Sequence, residues 1–334
     1  MSDLTPKTGL WDRLTGRSDA GAGAMAGSEP AQDAHVQHNG VRVDETFAEA
    51  FPMSATAVII TAPTIEWARI AAISMTGFAT SVIGCGCEAG IDRELPPEET
   101  PDGRPGVRVL VFAMSPADLE KHTINRVGQC VLTCAGTACY SGLTADTRIK
   151  LGTNLRYFGD GHQSSKLVGG RRYWRIPVME GEFLCESHAG MTGEAVGGGN
   201  LLILGRTARE TLAATEAAVH AMREVPDTIL PFPGGMVRSG SKVGSKYAFM
   251  IASSNEAYCP TLRAVSNSSL DPGVNSVLEI VIDGLSYDAV AESMRVGLAT
   301  LIEVGAKGGV VAVSAGNYGG KLGPHHFHLH ELMS

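Results

Sequence analysis

What most restricts this chain is the order of its secondary-structure signals, which runs through twice. Ala57 to Thr61 reads as strand, Ile65 to Thr76 as helix, and the stretch Ser81 to Ile83 as strand again. After a Pro/Gly/acid loop from Glu94 to Gly106, Val107 to Ala113 is a further strand. Ser115 as N-cap, Pro116 at the first helical position and Asp118 in the first turn then open a helix to about Leu132. Strands near Arg156 and from Tyr173 to Val178 close the first half. The second half repeats the order: strand Leu201 to Leu204, an Ala-rich helix Ala208 to Arg223, a Pro/Gly-rich passage to Gly244, strand Ser276 to Ile282, helix Tyr287 to Ile302 and strand Val310 to Val313. Two successive strand–helix–strand–strand–helix–strand sets predict an α+β fold of two ferredoxin-like (split βαβ) lobes from an internal duplication, lobe 1 over residues 39–179 and lobe 2 over 180–334. The order favours antiparallel layers over a doubly wound parallel sheet, and the period is too long for a solenoid.

With 334 residues, 44% of them hydrophobic, the chain can bury two moderate cores or one large one. Residues 1–38 stand apart as an N-terminal extension rich in Gly, Ala, Ser and Asp, a tail or an arm whose Leu10, Trp11 and Leu14 dock on a partner. The net charge of -8 gives no basic face for nucleic acid and no attraction to anionic membranes. There is no run of apolar residues long enough to span a bilayer and no positive-then-apolar leader, so a cytoplasmic location is expected. Seven cysteines, an odd number, suit reduced thiols better than a disulfide framework.

Several motifs carry candidate chemistry. Gly235 to Lys242 nearly spells a phosphate-binding P-loop, but it ends Ser241-Lys242 where that loop needs Lys followed by Ser or Thr, so nucleotide hydrolysis is rejected. What is left is a Gly/Ser/Lys loop, Ser239 to Lys246, which is either a solvated turn or a cradle in which Ser241, Ser245, Lys242 and Lys246 hold a carboxylate or phosphate tail. Gly197-Gly198-Gly199 reads as a tight turn. Cys85, Cys87, Cys130, Cys134 and Cys139 lack the paired spacing of a zinc site, and His326, His328 and His330 fit an edge or interface strand better than a ligand set; no metal is expected. Glu279 interrupts the otherwise apolar Ser276 to Ile282, so it either faces solvent or is desolvated with a raised pKa and able to exchange a proton.

Taken in order, the strings resemble the formylmethanofuran:tetrahydromethanopterin formyltransferase family, found in methanogens and in methylotrophic bacteria. The resemblance spans about residues 39–334. It is carried by Asn39-Gly-Val, Glu45-Thr-Phe-Ala-Glu-Ala-Phe51, Glu88-Ala-Gly-Ile-Asp92, Pro96-Pro-Glu-Glu-Thr-Pro-Asp-Gly-Arg-Pro-Gly106, Gly128-Gln-Cys130 and Phe158-Gly-Asp-Gly161. It continues in Glu180-Gly-Glu-Phe183, Pro231-Phe-Pro-Gly-Gly235, Ser241-Lys-Val-Gly-Ser-Lys246, Ala257-Tyr-Cys-Pro-Thr261, Glu279-Ile-Val-Ile282, Ser314-Ala-Gly-Asn317 and Gly319-Gly-Lys-Leu-Gly323. The extension before His38 has no counterpart in the short archaeal form, and residues 134–155 differ. The closer resemblance is therefore to the bacterial formyltransferase/hydrolase complex, in which an amidohydrolase-like subunit and others are partners and formate is released.

The resemblance implies transfer of a formyl group between the amine of methanofuran and a ring nitrogen of tetrahydromethanopterin or its dephospho form. Both carriers are substrates, no cofactor is tightly bound, and a homo-oligomer, dimer or tetramer, is implied. Such acyl transfer needs alignment, oxyanion stabilisation and proton movement, with no covalent enzyme intermediate. By resemblance Glu279 is the acid or hydrogen-bond donor. From residue type, turns at Gly234-Gly235 and at Asn317 and Gly319 bring backbone amides close to flat carriers, while Lys242 and Lys246 suit acidic tails. A non-catalytic, carrier-holding scaffold subunit and a zinc hydrolase built on the His tail are the competing classes.

Overall fold

The computed structural model describes residues 35–333; the Leu10, Trp11 and Leu14 patch of the extension lies outside them. The described chain starts with a hairpin of β1 (His35–His38) and β2 (Val41–Asp44), turned at Asn39 and Gly40 with φ of 50° and 76°. Residues 35–38, grouped by composition with the extension, are thus sheet. The first half continues as β3 (Phe47–Thr61), α1 (Ile65–Thr76), β4 (Glu88–Leu95), β5 (Gly106–Ala113), α2 (Pro116–Arg126) and β6 (Ala138–Ser141). β3 pairs antiparallel with both β5 and β6, and β5 with β4, giving the order β6-β3-β5-β4.

The connection runs through β7 (Arg148–Ile149), β8 (Ser164–Val168), β9 (Arg171–Val178) and β10 (Gly181–Glu186). The second half is β11 (Ala189–Gly205), α3 (Ala208–Met222), β12 (Thr228–Ile229), the small pair β13 (Lys242–Val243) and β14 (Ala252–Ser253), β15 (Ser276–Gly284), α4 (Tyr287–Val304), β16 (Val310–Ser314) and β17 (His325–His328). Its antiparallel pairings give β16-β11-β15-β12. The long strands β3 and β11 pair with each other, Met191 opposite Thr56 and Gly197 opposite Phe51, and fuse both sets into one large, mostly antiparallel sheet in a mixed α/β structure.

Local chemistry sets these elements. Ser115 Oγ accepts from Asp118 N at 3.1 Å and opens α2; its last residues pass into a π-helical turn, Val127–Val131. Thr207 and Ser286 cap α3 and α4 in the same way. Ala68, Ala71, Ala72 and Met75, at helical spacing, bury one face of α1 against Val58, Ile60, Val109 and Val111. Val219, Met222, Met294 and Leu298 on α3 and α4 cover Leu201, Ile203, Ile280 and Ile282. Burial of such side chains stabilises the fold by roughly 1.5–3 kcal/mol each for the larger ones.

Three expectations fail locally. Ser81 to Ile83 is not strand: Ser81 Oγ accepts from Ile83 N and caps the short helix Val82–Cys85, which ends at Gly86 in the left-handed region. Around Arg156 the chain is helical, Gly152–Leu155 followed by Arg156–Gly159, instead of strand. Gly197-Gly198-Gly199 is not a turn but a bulge within β11, where Gly198 adopts φ of 94°. The cysteines are free; Cys87, Cys139 and Cys185 lie in the first core and Cys130 and Cys134 pack against it. Among the described residues no helix is long and apolar enough to cross a membrane.

Candidate active site

Strand alternation builds the site. Ile280 and Ile282 have no exposed surface and point into the second core, so Glu279, Val281 and Asp283 face the other way. That face looks into a cavity of about 380 Å³ between the two halves. Ser81 to Gly84 and Glu88 wall it from the first half; Gly197, Gly198, Asn200 and Val237 wall it from the second. Phe51, Phe232 and Tyr318 add aromatic surface, and the lining residues include carboxyls but no lysine or arginine.

Glu279 is held on both sides of its main chain. It pairs with Leu202 of β11, and it exchanges both backbone hydrogen bonds with Val237, at 2.7 and 3.0 Å. Part of the side chain opens into the cavity, yet the surrounding protein strips it of water, and this burial lifts its pKa from 4.5 to about 7. Such a carboxyl is populated in both forms near neutrality and can give or take a proton.

Glu49 on β3, also lining the cavity, has the opposite fate. Its Oε2 accepts from the amides of Tyr318 and Gly320 at 2.6 and 2.9 Å, and its Oε1 from those of Leu322 and Gly323 at 2.6 and 2.7 Å. Burial raises its pKa, but these four donors outweigh it and hold the carboxyl below its ordinary range. Glu49 is the fixed anion around which residues 316–323 fold, beside a Glu279 that is free to titrate. Asn200 locks the start of that loop, accepting from Gly316 N at 2.6 Å and donating to Gly316 O at 3.2 Å. The phenol of Tyr318 is pushed up by burial, then by the charges of Glu279 and Glu49.

Comparison with known proteins identifies the family. A family model described as formylmethanofuran-tetrahydromethanopterin formyltransferase matches residues 36–178, and one described as FTR, proximal lobe, matches residues 181–332. The chain belongs to the formylmethanofuran–tetrahydromethanopterin formyltransferase family. Family members similar to it include the formyltransferase of Methylococcus capsulatus, 60% identical over 89% of this chain and 99% of that protein. A subunit of the formyltransferase/hydrolase complex of Methylorubrum extorquens is 58% identical over 88% and 96% of the two chains. Among solved structures, the M. extorquens complex with methylofuran superposes with a TM-score of 0.88 at 57% identity, over 90% of this chain and 99% of that one. The Methanosarcina barkeri formyltransferase does so with 0.84 at 45%, over 89% and 100%.

Within this family member the residues singled out from sequence are dispersed. Ser241 lines the cavity with Glu279. Lys242 pairs with Glu256, Lys246 adds its charge to the same carboxylate, and Ser245 Oγ accepts from Tyr247 N at 3.0 Å. Asn317 donates to Thr46 Oγ1 and Phe47 O and accepts from Gly319 N, so these two secure the loop around Glu49. The amides of Tyr318 and Gly320 are spent on Glu49. Gly234 lines a second cavity of about 570 Å³, and Gly235, at φ of 87°, lies so close to Val219 that an added Cβ would stand 2.7 Å from it. His326 Nε2 contacts Gly323 O, and β17 pairs with β3. Sequence reasoning missed Glu49 and Asn200. Glu49 carried the same signal as Glu279, one carboxyl within an apolar run, Phe47-Ala-Glu-Ala-Phe51.

Proposed function

We infer that this chain is an acyltransferase that moves a formyl group between the amine of methanofuran and a ring nitrogen of tetrahydromethanopterin or its dephospho form. The observation that carries the reading is the desolvated Glu279 carboxyl, held on a strand bonded on both sides and facing a largely apolar cavity. The accepting nitrogen attacks the formyl carbon and a tetrahedral oxyanion forms. In its neutral form Glu279 donates a hydrogen bond to the developing charge or passes its proton to the departing nitrogen, which leaves with the bonding pair, and the resulting carboxylate takes the proton shed by the attacking nitrogen, so the neutral acid is restored. The reverse direction uses the carboxylate as base. Excluding water strengthens each of these contacts and protects the formyl group from hydrolysis.

Ser241 at the cavity wall binds a carrier directly. Lys242, Ser245 and Lys246 meet an acidic carrier tail, with Glu256 exchanged for that tail, while Gly234 and Gly235 turn the chain between Phe232 and Val237 of the cavity wall and Asn317 and Gly319 hold the loop that presents Tyr318. The carriers act as substrates and no further cofactor is tightly bound. The chain is read as two ferredoxin-like lobes, residues 39–179 and 180–334, descended from one unit; the matching orders β6-β3-β5-β4 and β16-β11-β15-β12 support this, as does the division of the family matches between residues 178 and 181. β10, after that boundary, still packs Phe183 and Cys185 into the first core. A homo-oligomer, membership of a formyltransferase/hydrolase complex with an amidohydrolase-like subunit, a docking role for residues 1–38, and a cytoplasmic place of action belong to the same proposal.

The test is direct. The purified full-length chain, given formylmethanofuran and tetrahydromethanopterin, should form formyl-tetrahydromethanopterin, followed by its absorbance. Binding of both carriers without turnover would leave a carrier-holding scaffold subunit.

A further inference from the structure

The two halves are tied across the cleft by two carboxylate clusters that are neutralised differently. In one, Arg108 Nη1 donates to Asp92 Oδ2 and to Asp227 Oδ1, each at 2.6 Å, and Asp227 N donates to Asp92 Oδ1 at 2.8 Å. This is a strut balanced by a cation. In the other, Glu88 of β4 meets Asp283 of β15, both buried, and among the described residues neither makes an ion pair. Glu88 Oε1 accepts from Val82 N at 2.9 Å and Asp283 Oδ1 accepts from Gly198 N at 3.1 Å. Asp283 Oδ2 has no donor among the described protein groups, and the Asp283 carboxyl lies against the Glu88 carboxyl. Two carboxylates cannot hydrogen-bond to each other, whereas a carboxylic acid and a carboxylate can.

We propose that Glu88 and Asp283 share one proton and, as an acid–carboxylate pair, clamp the two walls of the cleft at the spacing the carriers need. Glu88 reaches through Val82 to the short helix that forms one wall, and Asp283 through Gly198 to the bulge of β11 that forms the other. Both are positioning residues. Burial first, and then the partner's charge, raises the Asp283 carboxyl well above its ordinary range; Glu88 is likewise raised by burial. The other titratable groups of the cavity wall, Glu49, Glu279 and Tyr318, supply no positive charge. Loss of the shared proton therefore leaves two like charges with no counter-ion, which pushes the walls apart. The role for the carriers rests on the function proposed above; the clamp itself does not.

The test compares wild type with Asp283→Asn, whose amide can donate to Glu88 without a titrating proton, Asp283→Ala, and Glu88→Gln as a second isosteric variant, all in the full-length chain. Hydrogen exchange at the Val82 and Gly198 amides, corrected for its intrinsic rise with pH, should accelerate with rising pH in wild type, stay flat in the Asn and Gln variants and be fast throughout in the Ala variant. A Glu279→Gln background should show the infrared carbonyl band of a protonated carboxylic acid, lost on adding Asp283→Asn. In the transfer assay, kcat/KM of Asp283→Ala should fall on the order of 10- to 100-fold, with partial recovery in Asp283→Asn. Exchange at both amides that is unchanged in the Ala variant, or as steeply pH-dependent in Asn as in wild type, would overturn the clamp. Absence of transfer by wild type with the exchange pattern intact would sink the functional reading while upholding the clamp.

Discussion

Replacing Glu279 by glutamine separates the proton of this side chain from its shape. The difference between 4.5 and about 7 corresponds to about 3 kcal/mol of preference for the neutral form, at roughly 1.4 kcal/mol per pH unit. The folded state holds this proton more tightly than the unfolded chain does. The associated stability is fully present below pH 4.5, is lost as pH rises to about 7, and changes no further above that. Glutamine does not titrate, so the stability of the variant relative to wild type should climb by up to about 3 kcal/mol across this window. Denaturant unfolding at a series of pH values reads that difference directly, and other titrating groups cancel between the two proteins. In single turnover the variant should transfer formyl about 100- to 10,000-fold more slowly while binding both carriers nearly as well, because its amide keeps a hydrogen bond but cannot exchange a proton. The wild-type rate should fall about tenfold per pH unit above its pKa, and the residual rate of the variant should be flat. A folded glutamine variant with near-normal transfer, or a stability difference that does not change with pH, would show that Glu279 is either not the acid or not desolvated.

Other consequences concern the frame of the site. Glu49→Gln turns one acceptor oxygen into an amide group facing two N–H donors, so it should cost about 3 kcal/mol and speed hydrogen exchange at Tyr318, Gly320, Leu322 and Gly323; unchanged exchange there would remove Glu49 as the organiser of the loop. Arg108→Met takes from the fully buried Asp92 carboxyl its hydrogen-bonded cation and leaves only Arg93 at 4.0 Å, a loss of about 3 kcal/mol measurable by denaturant unfolding, and a variant as stable as wild type would refute the strut. Prolonged treatment with a strong chelator should change neither melting nor transfer rate; a fall in thermal stability reversed by zinc would assign the cysteines or the His tail to a metal.

The elements were readable because their causes are local. α2 announced itself through Ser115, Pro116 and Asp118, and β15 through its period of two, which also fixed that Glu279 and Ile280 must face opposite ways. The short helix Val82–Cys85 is not legible locally because an apolar run of that length suits either state until a cap is formed, nor is the bulge at the three glycines of β11, because a bulge needs a partner strand to exist. The loop Ser239 to Lys246 looked like an anion cradle from residue type, but Glu256 already occupies Lys242, a contact no spacing rule contains. Likewise the amides after Asn317 read from residue type as donors to a ligand, whereas Glu49, far away in sequence, takes them. By itself, then, the sequence determined the long helices and the principal strands, the face on which each residue of β15 lies and, through its ordered strings, the family. Whether the face carrying Glu279 is wet or dry was decided only by tertiary structure: desolvation is set by what surrounds a strand, here Val237 bridged beside it and a cavity closed by residues 81–84 of the other half, and the same local sequence would leave a carboxyl in water at its ordinary pKa.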